Sequence, residues 1–342
     1  MLLSMTEIMF KVIAVILQNI IVLILYLPAR ARTQSKGLIT YLQKNGFNNI
    51  VILEGSWVGD STSKAFSACG YTSLAKETGV QLIDTQKDSC EVVICKGLEI
   101  EICKSALNLD FMINLPVMKG HCQTKLTCAL KNNKGIISDK EKQRFHTLGL
   151  TKPIALLNTA VRNDFIVVDG ICGDLDFEEG GNPVYSGRMF GARDPVLCDA
   201  WVAELMGYKV SDIPYIGLAE ELGVGSAGPA QIRELNQNSA VPALPRPQPQ
   251  GKVKQLSSSI NEAGACSACY AALIFALSRM SRSEQEQLGQ VNIGQGFRAQ
   301  KPAGAGGKVG VGQCASGFDS FCPGCPPTGA EVLSFLKNIL KK

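Results

Sequence analysis

The chain has 342 residues, 46% of them hydrophobic, with 34 Lys or Arg against 30 Asp or Glu and a formal net charge of +4. That is enough length and apolar content for one large α/β domain with a smaller appendage, and it excludes a disordered chain. The small charge, spread along the sequence, argues against nucleic acid as a partner and confines anion binding to a local patch. Thirteen cysteines, single in the first two thirds and clustered in the last quarter, do not suit a secreted disulfide scaffold in a chain this long. A cytoplasmic protein in a reducing compartment is expected, with Cys69, Cys90, Cys95, Cys103, Cys128, Cys172 and Cys198 acting as small buried hydrophobes.

Residues 1–30 carry an apolar run from Val12 to Leu27, interrupted by Gln18 and Asn19 and followed by Arg30 and Arg32. Its Val and Ile content suits buried parallel strands. A membrane or signal segment competes, although the run is short and its middle polar, as does a start placed too early.

From Lys36 a regular helix-strand rhythm begins. "GLITYLQKNGF" predicts a helix ending at Gly46, and "NNIVILEGS" a buried strand running into a Gly-Ser turn. "YTSLAKETGVQLIDTQ" repeats the unit, with Gly79 as the helix stop. "DFMINLPVMKGH" and "NDFIVVDGICG" read as further strands, the second with Asp169 at its carboxyl end, and "DPVLCDAWVAELMGY" as a helix opened by Asp194 and Pro195. This pattern predicts an α/β domain over 31–225: a mostly parallel sheet with helices on both faces. Prolines at 229, 242, 245, 247 and 249 then mark 226–262 as a linker, leaving 263–342 as a small cysteine-rich module. In that module "VNIGQG" and "KVGVGQC" share a strand-then-glycine rhythm that suits neighbouring strands.

Ligands of open α/β sheets bind outside the carboxyl ends of the strands, which points to the loops after Glu54, Pro116 and Asp169. Both histidines of the chain, His121 and His146, fall in the segment after Pro116, where Lys119 to His146 holds seven Lys or Arg against Asp139 and Glu141. A solvated basic surface is the plain reading. The functional one makes Lys119 and His121 acid-base residues, the imidazole kept neutral by its positive surroundings. Lys131, Asn132, Lys134, Arg144 and His146 would then bind an anionic substrate or cofactor. No P-loop, nucleophile elbow or zinc-protease helix occurs. The acidic loop with Asp169, Asp174, Asp176, Glu178 and Glu179 reads as a counterweight to the basic one, or else as a divalent-cation site.

"ACSACYAALIFALSRM" opens with a C-x-x-C whose Cys266 and Cys269 share one face of a first helical turn. Near the end, "GQCASGFDSFCPGCPPTGAEVL" holds Cys314, Cys322 and Cys325 ahead of a T-x-x-E capping box, Thr328 and Glu331. Cys325 therefore sits just before a helix N-terminus, where partial positive charge favours an anionic group. Cys266, Cys269, Cys314 and Cys325 make a four-thiolate set suited to a [4Fe-4S] cluster or a structural zinc, with a redox dithiol as the remaining choice and Cys322 as a bystander. The segment "PGCPPTG" resembles the Gly-Cys-Pro-Pro stretch by which small subunits of nickel-iron hydrogenases, and a related subunit of respiratory NADH dehydrogenase, hold a [4Fe-4S] cluster.

Taken together, "ILEGS", "INLPVMKGH", "TCALKNNKGIISDKEKQRFH", "VVDGICG", "GGNPV", "RDPVLCDAW" and "IPYIGLAEELGVG" resemble the iron-sulfur family called domain of unknown function 362, over about 190 residues from Leu38 to Gly225. The resemblance implies an α/β domain, frequently fused to cluster-binding cysteines, in anaerobic prokaryotes, and no settled reaction. "LILYLPARARTQSKG" lacks the Lys-Pro-Asn that such proteins usually carry after their first strand. The sequence thus predicts an iron-sulfur protein transferring electrons to a substrate in a basic crevice, with a ferredoxin or flavoprotein as redox partner. Alternatives are a zinc-stapled or cluster-handling assembly module, and an enzyme with a structural metal whose Lys119 and His121 do acid-base work.

Overall fold

The computed structural model describes residues 21–25, 31–175, 183–229, 252–298 and 307–341. The first part of the chain builds a six-stranded sheet in the order β10-β9-β6-β1-β2-β3. Its strands are β1 (Ile21–Leu25), β2 (Ile50–Glu54), β3 (Gln81–Asp84), β6 (Phe111–Leu115), β9 (Phe165–Asp174) and β10 (Pro183–Ala192). β1 pairs in parallel with both β2 and β6, so the end of the apolar N-terminal run is a strand within the sheet. No helix among the described residues is long and apolar enough to cross a membrane.

Strand alternation explains how both faces come to be covered. On one face Ile50 and Ile52 of β2, Ile113 and Leu115 of β6, and Phe165 and Val167 of β9 share a core with Leu38, Ile39 and Leu42 of α1 (Ala31–Lys44). Phe66 of α2 (Thr62–Ala68) and Tyr71 and Leu74 of α3 (Tyr71–Thr78) close that layer. The intervening residues Leu53, Met112, Ile166 and Val168 face the other way. They meet helices α5 (Ala129–Asn132), α6 (Asp139–Thr147), α7 (Thr151–Leu157), α8 (Pro195–Leu205) and α9 (Pro214–Glu221) through Leu130, Phe145, Ile154, Val196 and Ile216. Asp194 opens α8 as expected, its Oδ1 accepting from Val196 N at 2.8 Å and Leu197 N at 3.0 Å.

In place of the single, mostly parallel sheet expected, the strands form four sheets, and parallel pairing is confined to two of them. β9 and β10 run antiparallel at the edge of the large sheet. β4 (Cys90–Cys95) and β5 (Leu98–Cys103) form an antiparallel hairpin, as do β7 (Lys119–His121) and β8 (Lys125–Thr127). The first hairpin turns through Lys96 and Gly97, both at positive φ, a two-residue connection that needs no crossover helix. Two strand readings shift for related reasons. "DFMINLPVMKGH" breaks at Pro116, so Lys119 and His121 stand on a hairpin, outside β6. β9 runs on past Asp169 to Asp174 because β10 pairs with that extension, leaving Asp169 in mid-strand.

The C-terminal module has a parallel four-stranded sheet, β11 (Ile260–Glu262), β12 (Val291–Ile293), β13 (Val309–Val311) and β14 (Ser320–Cys322). Each strand has only three residues. Their stability comes from burial of Val291, Ile293, Val309 and Val311 against Leu273, Ile274 and Leu277 of α11 (Ser267–Leu277) and Val332 and Leu336 of α13 (Gly329–Ile339). The Thr328–Glu331 capping box opens α13, with Thr328 N donating to Glu331 Oε2 at 2.8 Å and Glu331 N to Thr328 Oγ1 at 3.3 Å. α10 (Lys252–Ser257) precedes β11, so 252–262 carries a helix and a strand where the composition suggested linker. Gln123 Nε2 ties the module to the first domain by donating to Glu262 Oε1 at 2.7 Å and Ala265 O at 2.9 Å.

Candidate functional site

A cavity of about 400 Å³ opens at the carboxyl end of β2. Its lining includes Glu54, Asp60, Lys119, Lys131, Lys134, Lys142 and His146, the apolar Trp57, Val58, Ala65 and Ala68, and Cys266, Ser267 and Ala268 of the C-terminal module. Lys119, Lys131, Lys142 and His146 are buried, which brings cations into a region shielded from bulk water. Lys142 Nζ is spent on the loop itself, donating to Ser56 O at 2.8 Å, Gly55 O at 3.3 Å and Asp139 Oδ1 at 3.1 Å. Lys131 Nζ donates to Thr127 Oγ1 at 3.2 Å, and Lys134 Nζ lies 3.3 Å from His146 Nε2.

The cation-bearing turn is held by a network of amides. Asn132, on the wall of the cavity, donates from Nδ2 to Asn114 Oδ1 at 2.7 Å, and Asn133 donates to Asn158 Oδ1 at 2.8 Å. Asn114 Nδ2 in turn reaches Ala129 O at 2.9 Å and Asn163 Oδ1 at 2.8 Å. Buried amides this fully bonded fix the backbone that presents Lys131 and Lys134. The amide of Asn132 therefore positions the turn, while its neighbours face the cavity.

The two histidines meet on one hydroxyl. His121 Nδ1 accepts from Gln123 N at 3.0 Å and Thr124 N at 3.2 Å, which sets the neutral ring with its proton on Nε2. That nitrogen lies 3.2 Å from Ser267 Oγ, and His146 Nε2 lies 3.3 Å from the same oxygen. His121 is not among the residues lining the cavity, but its Nε2 reaches the cavity's Ser267. Arg144 is not brought to the cavity either: its Nε donates to Glu141 Oε1 and its Nη2 to Glu99 O, across the hairpin of β4 and β5.

Glu54 is the wall residue that the basic motifs did not single out. It ends a buried strand, and an acid at the carboxyl end of "IVILE" was the available signal. Its Oε1 accepts from Gly55 N at 2.8 Å, while its Oε2 has no hydrogen-bond partner. Burial pushes its pKa from 4.5 up to about 8, against the opposing pull of the Gly55 N–H, Lys142 and Lys119. The folded state therefore holds a proton that the unfolded chain releases above about 4.5, and the stability Glu54 contributes at acid pH is lost as pH rises towards about 8. Denaturant unfolding between pH 5 and 8 is expected to show this decline, at most about 1.4 kcal/mol per pH unit, with a flatter profile in Glu54→Gln.

The four cysteines of the predicted metal set line one pocket together with Val58, Arg298 and Pro326. Cys266 is the residue before α11 and Cys269 lies one turn in, Cys314 sits in the tight turn Gln313–Ala315 after β13, and Cys325 precedes the cap of α13. Gln295 Nε2 lies 3.6 Å from Cys266 Sγ, and Arg298 Nε donates to Cys314 Sγ at 3.1 Å. Burial foremost, together with neighbouring thiols of the set, pushes the Cys266 thiol up to about 11 and Cys269 to about 12. No carboxylate or imidazole lines the pocket among the described residues. The four cysteines are near one another and give the pocket an all-thiol donor set that could bind a metal. Cys322 is turned away: it is buried in the module's core, with its Sγ 3.8 Å from Pro323 O.

Among the described residues, the group of three or more His, Cys, Asp or Glu side chains whose ligand atoms lie within 4.8 Å of one another is a different one, Cys128, Cys198 and Asp199. The Asp199 oxygens accept from Ala129 N at 2.7 Å and Leu130 N at 3.3 Å, which caps α5 and gives the group a structural task. Cys95 and Cys103 are buried, Cys69, Cys90 and Cys172 half-buried. Of the acidic loop, Asp169 accepts from Ile171 N at 3.0 Å and Asp174 is buried, while Asp176, Glu178 and Glu179 lie outside the described residues.

Fold and site together define a two-part α/β protein whose basic crevice abuts a module of gathered cysteines. The chain belongs to the family described as domain of unknown function (DUF362), whose model matches residues 33–204. The match takes in every charged residue of the crevice wall and stops short of the four cysteines. The chain is also 24% identical over 166 residues to the thylakoid-associated protein sll1697 of Synechocystis sp. (strain ATCC 27184 / PCC 6803 / Kazusa), covering 45% of this chain and 50% of that one. Among solved structures, the lactate racemase apoprotein of Thermoanaerobacterium thermosaccharolyticum is similar at a TM-score of 0.44 and 17% identity, over 58% of this chain and 51% of that one. A Thermotoga maritima protein of known crystal structure follows at a TM-score of 0.37 and 14% identity, over 64% and 58% of the two chains.

Proposed function

We propose that this is an iron-sulfur redox protein in which Cys266, Cys269, Cys314 and Cys325 hold a [4Fe-4S] cluster beside a crevice that binds an anionic substrate or cofactor. The observation that carries the reading is the shared wall: Val58, Cys266 and Ala268 line both the four-cysteine pocket and the basic cavity. Bound there, such a cluster supplies single electrons at a potential set by its thiolates and their hydrogen bonds. Arg298 and Gln295 are the donors to those thiolates among the described residues. Lys119, Lys131 and Lys134 attract and orient the anion. The hydroxyl of Ser267, between two of the cysteines, links His121 and His146 to the same wall. The redox partner is a ferredoxin or flavoprotein, and the setting is a reducing cytoplasm.

The deciding experiment is purification without oxygen, followed by measurement of iron, acid-labile sulfide, zinc and the visible spectrum with and without dithionite. About four irons and four sulfides per chain, with a brown colour that dithionite bleaches, are expected. Stoichiometric zinc without sulfide, or a protein that stays colourless after reconstitution with iron and sulfide, sinks the iron-sulfur reading; the first result makes the module a zinc-stapled scaffold.

A further inference from the structure

Glu54 borders the basic cavity with one carboxylate oxygen bonded to Gly55 N and the other without a hydrogen-bond partner. Buried polar atoms are rarely left in that state, and a buried carboxylate with an idle oxygen beside an open cavity is a group waiting for a ligand atom. As the neutral acid it is a hydrogen-bond donor. The surrounding wall narrows what it meets. Lys119, Lys131 and Lys134 supply positive charge to the lining, and Trp57, Ala65 and Ala68 supply apolar surface to it. Trp57 is 39% exposed, so the indole has room to cover a flat group. The volume of about 400 Å³ falls within the roughly 300–1,000 Å³ typical of small-molecule sites.

We propose that Glu54 is the proton-carrying residue of this crevice, and that the ligand is a small organic acid, an anionic oxygen group on a flat apolar body, bound while Glu54 donates a hydrogen bond from Oε2. The proposal rests on the crevice being an anion site, and goes beyond it by naming the acid and the ligand's chemistry. Two negative charges cannot share this wall at low cost, so anion binding and Glu54 protonation support each other. When Glu54 is ionised beforehand, the ligand binds with uptake of one proton from solvent. The charged or titratable groups around Glu54 are Lys119 from β7 and Lys142 from α6, which oppose its protonation. Asp60 and Cys69, which line the same cavity, and Tyr71 are further titratable groups near it, on the following loop, at the end of α2 and on α3. Its pKa of about 8 in the free protein places the transition in an accessible range.

The test is calorimetric titration of the full chain with benzoate, phenyl phosphate, inorganic phosphate and benzamide, at pH 7 and pH 9, in two buffers of different ionisation heat. Benzoate or phenyl phosphate is expected to bind at least about tenfold more tightly than benzamide or inorganic phosphate. Its affinity should fall about tenfold from pH 7 to pH 9, with close to one proton taken up per ligand at pH 9. Which of the two anions binds more tightly distinguishes a carboxylate from a phosphate head. Glu54→Gln, which keeps the shape and a donor, should hold the pH 7 affinity within about threefold and lose both the pH dependence and the proton uptake. Wild-type binding with no proton uptake, or an unchanged profile in Glu54→Gln, overturns the role of Glu54 and leaves the anion site standing. Binding of benzamide as tight as benzoate overturns the ligand class, and the failure of every anion to bind removes the crevice reading itself. The wild-type proton count does not depend on the variant folding.

Discussion

Replacing Cys325 by alanine is expected to abolish the visible absorption of the anaerobically purified protein and to bring its iron and sulfide well below stoichiometric levels. Cys325 is exposed and is not among the core residues, so the substitution removes a sulfur from the four-cysteine pocket and little else. Cys322, only three residues away, should behave in the opposite way. It is 3% exposed in the core formed by α11, α13 and the short strands, so Cys322→Ala should cost on the order of 1–2 kcal/mol in denaturant unfolding while colour and iron stay at wild-type levels. Cys95→Ala, in the hairpin of the first domain, should also keep its colour. Loss of colour in Cys322→Ala with retention in Cys325→Ala would reverse the ligand assignment.

The second large effect is expected from Gly55→Ala. A Cβ at Gly55 would stand 2.2 Å from Thr85 Oγ1, 2.5 Å from Gly135 O and 2.9 Å from Lys142 Nζ. The side chains could give way, but Gly135 O is backbone, and Thr85 Oγ1 is bonded to it at 2.7 Å and to Glu54 O at 3.0 Å. Relief therefore requires the strand-end loop that carries Glu54 to part from the turn that carries Lys134. The expected cost is about 3 kcal/mol or more in denaturant unfolding, with anion affinity reduced at least tenfold. Gly37→Ala is the matched control: its Cβ meets nothing within 4 Å in the interior of α1, so the change should stabilise by about 0.5–1 kcal/mol. Equal stability of the two variants would mean that the two loops are not clamped together.

Helix boundaries were legible in the sequence because their signals are local. Asp194 with Pro195, Gly79, and Thr328 with Glu331 each act within one turn, and the helices begin or end beside them. Strand directions were less legible, since pairing partners lie far apart in the chain. Nothing within "NDFIVVDGICG" says that an antiparallel β10 will extend it past Asp169.

By itself the sequence determined the family through its spaced motifs, the basic segment from Lys119 to His146, and the cysteines able to form a metal site. Residue type and short-range spacing are enough for those inferences. Only the tertiary structure decided which of those residues share a wall. Strand pleating turned Cys322 into the core while Cys314 and Cys325 stayed with Cys266 and Cys269. The hairpin of β4 and β5 drew Arg144 away through Glu99 O. The packing of Ser267 between two distant histidines and the burial of Glu54 near Lys119 and Lys142 arise from contacts across the fold, and burial is what alters the charge of a carboxyl.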